Sequence, residues 1–209
     1  MPYKLHEMAT DGVGLLDVLG IEKAHIVGAS MGGMITQHIG FGFPDRVLSL
    51  TSIMSTTGHA KLPPATKEAI KVLTTRPKDA EIETIREHGL ALSRAIGSPD
   101  YRADPDVIRD KAEMNFKRSF YPEGMPRQIA AIIADGDRRE RLKAITAPTL
   151  IVHGEADPLV TVEGGHDTAA HIPGAKIKLF AGMGHDLPLE LVEPMVDAVA
   201  EHAKEAVAA

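Results

Sequence analysis

A chain of 209 residues with 44% hydrophobic content is long enough to bury a sizeable core and carry an insertion. Its formal charge of −6 gives no electrostatic reason to bind nucleic acid or an anionic membrane. The lack of cysteine excludes disulfides, thiolate catalysis and cysteine metal sites, and no stretch approaches transmembrane length. The first residues carry no apolar run of signal-peptide type, so a cytoplasmic location is expected.

Leu5, Met8, Gly12, Leu16 and Leu19 recur at helical spacing and Gly20 stops the run, which predicts an amphipathic helix. His25 to Val27 then reads as a short apolar strand, and Met31 to Phe43, closed by Pro44, as a helix. Between them stands Gly28-Ala29-Ser30-Met31-Gly32, a serine bracketed by glycines at a strand-to-helix junction. That is the pattern of a nucleophile elbow. Such a turn strains the serine backbone, asks for small residues at positions 28 and 32, and aims the hydroxyl over the positive end of the helix. Val47 to Met54 predicts the next strand.

Between Gly58 and Ala147 prolines separate helical patterns over Ala65–Thr74, Ala80–Ile96, Pro105–Ser119, Gly124–Ala134 and Arg138–Ile145. The charged run Arg138-Arg139-Glu140-Arg141 reads as a solvated helix face. Thr149 to His153 predicts a buried strand followed by a turn presenting Asp157. Ala175 to Phe180 predicts a last strand, leading into Gly182-Met183-Gly184-His185. His166 and His171, between these strands, are read as lying in or near loops. Leu189 to Ala206 closes the chain as a helix whose Leu189, Val192, Met195, Val196, Val199 and Ala203 form one stripe, expected to pack on the sheet.

A serine nucleophile needs a base, and the base needs an orienting group. His185 alone among ten histidines has both flanking glycines and a place after the last strand. Glu155 and Asp186 are rival acids, but Asp186 adjoins the base in sequence and cannot easily face its ring, so Asp157 is preferred. The order Ser30, Asp157, His185 is that of α/β-hydrolases.

On these motifs, together with Leu15 to Ile21, Leu50 to Gly58 and Asp137-Arg138-Arg139, the sequence resembles the α/β-hydrolase superfamily. Within it, the resemblance is to the esterase-like branch that includes anthracycline (aclacinomycin) methyl esterases. The resemblance implies a truncated α/β-hydrolase fold: a mainly parallel four-stranded sheet flanked by helices. It divides the chain into a first core part (1–58), a helical cap (59–146) and a second core part (147–209). It also implies an ester-cleaving serine hydrolase working through an acyl-enzyme on a small-molecule ester, with no cofactor and no metal. Met31 N–H is the first oxyanion donor, while the loop that gives the family its second donor has no counterpart here. Losing one donor typically costs about 10²–10³ in rate, so weak activity is expected. The elbow strand becomes a sheet edge, which leaves three explanations: a fragment or mis-started product, a natural short form, or a sheet completed by a partner, with a homodimer across that edge as the working expectation. The alternative reading is a non-catalytic binding or interaction module on the same fold.

Overall fold

The computed structural model describes residues 3–208. Four strands, β1 (Ala24–Ala29), β2 (Val47–Ile53), β3 (Thr149–Gly154) and β4 (Lys176–Phe180), form one parallel sheet in the order β1-β2-β3-β4. Each matches an expected strand to within two residues at either end. β3 is buried at every position and β2 at all but one, as expected of parallel strands covered on both faces.

Helix α1 (Leu5–Val18) packs on α2 (Met31–Gly42), which follows β1 directly. Ala9, Val13 and Ile39 from these helices close on Leu50 and Ile151 of the sheet and on Leu142 and Ile145. On the sheet's other side Met195 and Leu191 pack with Ile53, Leu150, Val152 and Phe180. The span between β2 and β3 is helical, as expected: α3 (Lys67–Thr74), α4 (Ile82–Ile96), α5 (Pro105–Arg118), α6 (Gly124–Asp135) and the short α7 (Arg139–Leu142). Two further helices, α8 (Val162–His171) and α9 (Val192–Ala208), follow β3 and β4. Among the described residues no helix is long and apolar enough to cross a membrane.

Three expectations need correction. His166 lies inside α8 rather than in or near a loop, while His171 is the last residue of that helix. Gly164-Gly165 weakens that helix by propensity, but packing demands it, since a Cβ on Gly165 would come within 2.6 Å of the buried His153 ring. The charged run is not a uniformly solvated face either. Arg138 is 1% exposed and donates to Gln37 Oε1 (2.8 Å), Asp135 Oδ2 (2.6 Å) and the Thr56 carbonyl (2.6 Å). It ties the two stems of the helical insertion to α2, and its backbone N–H meets the Thr57 carbonyl. Finally, the C-terminal stripe is only partly buried. Met195 is covered, but Leu189, Val192 and Val196 are exposed. An apolar groove of about 370 Å³ remains there, between Val27 and Val192, Val196 and Val199.

Candidate active site

The site lies where β1, β3 and β4 end. β1 runs into α2 through Ser30, whose φ of 54° and ψ of −118° lie outside the ordinary regions for a side-chain-bearing residue. That strain is fixed by neighbours: Ser30 N–H donates to the Ile53 carbonyl (2.8 Å), and Ser30 C=O accepts from Gly33 N–H (2.9 Å). Gly28 is obligatory, since a Cβ there would stand 2.2 Å from the Gly32 carbonyl oxygen. The expectation for Gly32 is different in detail. A Cβ on Gly32 meets nothing, so its contribution is the backbone carbonyl that crowds Gly28. Gly33, to which the sequence reading gave no role, is the tighter position, with Ser55 Cβ 2.5 Å from where its own Cβ would sit.

β3 ends in a turn that brings Asp157 to the same end of the sheet, with its side chain fully buried. Its Oδ1 accepts from Leu159 N–H and Val160 N–H, both at 2.9 Å. Its Oδ2 is left for the His185 ring, at 2.7 Å from Nδ1. The other ring nitrogen, Nε2, lies 2.9 Å from Ser30 Oγ. With the ring proton on Nδ1, the imidazole donates to Asp157 and accepts from the serine hydroxyl. The structure therefore brings Ser30, His185 and Asp157 into one hydrogen-bonded chain. Met31 N–H opens α2, so it has no intrahelical partner and stays free to donate.

His153, at the end of β3, supports the acid turn from below. It is fully buried, and its Nε2–H donates to the Val160 carbonyl (2.8 Å). Burial pushes its pKa down, against the opposing pull of the Val160 carbonyl and Asp157. The rival acid Asp186 points away from the ring, its carboxylate meeting Ser98 at the end of α4. Sequence reasoning missed Ser98, because a serine after Gly97 at a helix end carries no signal of a partner 88 positions on. A cavity of about 450 Å³ lies between Leu90, Tyr101, Ile108 and Asp186, and neither Ser30 nor His185 is in its wall. Among the described residues no group of three acidic or histidine side chains is placed to hold a metal.

Residues 3–190 match the family described as alpha/beta hydrolase fold. The chain is 25% identical to rhodomycin D methylesterase DnrP of Streptomyces peucetius, covering 98% of this chain and 75% of that protein. It is 29% identical to 3-oxoadipate enol-lactonase 2 of Acinetobacter baylyi over 82% of this chain, and there it spans only 60% of the relative. A solved meta-cleavage product hydrolase of Pseudomonas fluorescens superposes with a TM-score of 0.78 at 24% identity, covering 99% of this chain and 74% of that one. A strained serine between strand and helix, the parallel sheet that carries it and a family match over nearly the whole length agree: the chain belongs to the α/β-hydrolase fold family.

Proposed function

We propose that the protein is a carboxylic ester hydrolase in which Ser30 is the nucleophile, His185 the base and Asp157 the group that orients it. The observation that carries this reading is the unbroken chain from Ser30 Oγ through His185 to Asp157, at 2.9 and 2.7 Å. Ser30 Oγ attacks the ester carbonyl carbon as its proton passes to His185 Nε2. The tetrahedral oxyanion takes a hydrogen bond from Met31 N–H, backed by the positive end of α2. Collapse breaks the carbon–oxygen bond of the ester, and the imidazolium returns its proton to the leaving alkoxide, releasing an alcohol and leaving Ser30 acylated. Water, deprotonated by the same imidazole, then frees the carboxylic acid and restores the serine.

Small-molecule esters, including methyl esters, are the substrate class that the resemblance to the rhodomycin D methylesterase favours. The insertion of α3 to α7 serves as the cap that shapes the pocket and limits water. Hydrolysis of aryl and methyl esters by the wild type and by Ser30→Ala tests the reading. Loss of turnover in the variant supports it, and equal turnover in both removes Ser30 from the chemistry.

The same reading places a second copy of the chain on the β1 edge. Its support is the outer side of that parallel strand, which pairs with no other strand among the described residues, and the exposed Val27, Val192 and Val196 around an apolar groove beside it. A sedimentation profile that stays monomeric at high concentration would rule this out.

A further inference from the structure

The base is held by the cap. His185 sits in the loop after β4, and its own backbone N–H donates to the Ile96 carbonyl (2.7 Å) at the end of α4. One residue earlier, Gly184 N–H donates to Ser98 Oγ (2.9 Å). One residue later, the Asp186 carboxylate accepts from Ser98 N–H (3.0 Å) and from the Ser98 hydroxyl. Three consecutive residues of the histidine loop are thus bonded to the last turn of α4 and the two residues beyond it. Ser98 is 1% exposed, and its hydroxyl is at once acceptor from Gly184 and donor to Asp186. Contact is close on both sides: a Cβ on Gly184 would stand 2.6 Å from the Gly97 carbonyl carbon, and one on Gly97 would stand 2.9 Å from Asp186 Oδ2. The loop cannot slide along α4 without breaking this set together.

Asp157 fixes the direction of the imidazole but not its height over Ser30, because the hydrogen bond at Nδ1 leaves the ring free to tilt with its backbone. We propose that Ser98 and Asp186 are a positioning pair through which the cap sets the distance between His185 Nε2 and Ser30 Oγ. This rests on the reading of Ser30 and His185 as nucleophile and base. Neither residue of the pair touches the reacting atoms. Their effect is on the fraction of time the imidazole stands within hydrogen-bond reach of the hydroxyl, and a displacement near 1 Å costs about 100-fold in rate.

The test uses the full chain with Ser98→Ala, Asp186→Ala and Asp186→Asn, and Ser30→Ala as control. Turnover of p-nitrophenyl acetate and the rate of Ser30 labelling by a fluorophosphonate are read alongside the melting temperature. Ser98→Ala and Asp186→Ala are expected to lower kcat and the labelling rate by about 10- to 100-fold, with KM changed less than about threefold. Asp186→Asn keeps an oxygen that accepts from Ser98 N–H and Oγ–H, so it restores most of the rate. If a variant at Ser98 unfolds, the Asp186→Ala and Asp186→Asn comparison still decides, since Asp186 is only half-buried. Full kcat in folded Asp186→Ala overturns the positioning role, as does a loss that Asn fails to restore. Should Ser30→Ala itself keep its turnover and labelling, the nucleophile assignment is what fails.

Discussion

The two edges of the sheet are finished in opposite ways. β4 presents Lys176, Ile177 and Lys178 as exposed residues, and Lys176 is further tied to Glu205 of α9 at 2.6 Å. Edge lysines of this kind discourage another strand from pairing. β1 has the sequence Ala24-His25-Ile26-Val27-Gly28-Ala29, without lysine, acid or proline, and Val27 is 50% exposed. Helix α9 adds exposed Val192 and Val196, which line an apolar groove with Val27. One edge carries charge and the other carries apolar side chains. Yet β1 ends in a tightly constrained turn, where Ser30 is strained and Gly28 admits no side chain. Tight constraint at the carboxyl ends of the strands and an uncovered flank therefore coexist within six residues.

That contrast breaks if changes at the carboxyl ends prove cheap, or changes at the β1 edge expensive. The largest effect is expected at Asp157. Asp157→Asn keeps the acceptor for Leu159 and Val160 N–H, but its amide favours the wrong imidazole tautomer, so ester turnover should fall about 10³- to 10⁴-fold. Steady-state kinetics with the fold checked by circular dichroism measures this, and a loss under tenfold would contradict the assigned role. Next comes the joint between insertion and core. Arg138→Met takes the guanidinium from Gln37 and leaves the buried Asp135 carboxylate with His38 as its buried partner, and denaturant unfolding should show a loss of about 3 kcal/mol.

A smaller effect belongs to pH. Burial holds the His153 pKa below its unfolded value, so the folded state binds fewer protons than the unfolded chain in mild acid. The stability this represents is present above the unfolded pKa of about 6.5 and is lost as pH falls from there toward the folded value. Melting temperature should decline from about pH 7 to pH 5, and His153→Gln should flatten that part of the decline. Asp135 acts at lower pH. Burial raises its pKa, but hydrogen bonds to His38 and Arg138 outweigh that and hold it well below the usual carboxylate range. Its contribution is present above the unfolded value near 4 and fades as pH drops further. The smallest change is expected from Val27→Lys, within about 0.5 kcal/mol of wild type by denaturant unfolding, because the side chain already meets solvent. The same variant should remove any self-association, which sedimentation would detect.

The sequence carried the parts of this molecule whose constraints are local. Glycine at positions 28 and 32 around Ser30, the apolar runs of β2 and β3, and the glycines before His185 each reflect backbone geometry within a few residues, so the four strands were legible, as was the meeting of Ser30, His185 and Asp157. What was not legible depends on distant partners. α8 looks like a loop because Gly164 and Gly165 are poor helix formers, and only the His153 ring pressed against them explains their presence. Arg138 sits in a run of charges and is buried because Gln37, from the other end of the chain, accepts its Nε–H. Ser98 reaches the histidine loop through contacts 86 and 88 residues apart. The C-terminal stripe was read with the right period and the wrong burial, since periodicity says which residues share a face and not whether anything lies upon it.

The most direct test of the account is intact-mass spectrometry of the whole chain after exposure to a fluorophosphonate. An activated Ser30 Oγ forms a bond to phosphorus as fluoride leaves and its proton passes to His185. The account predicts a single adduct on the wild type and none on Ser30→Ala. Folded wild type that takes up no label, or an adduct that persists in Ser30→Ala, would contradict it.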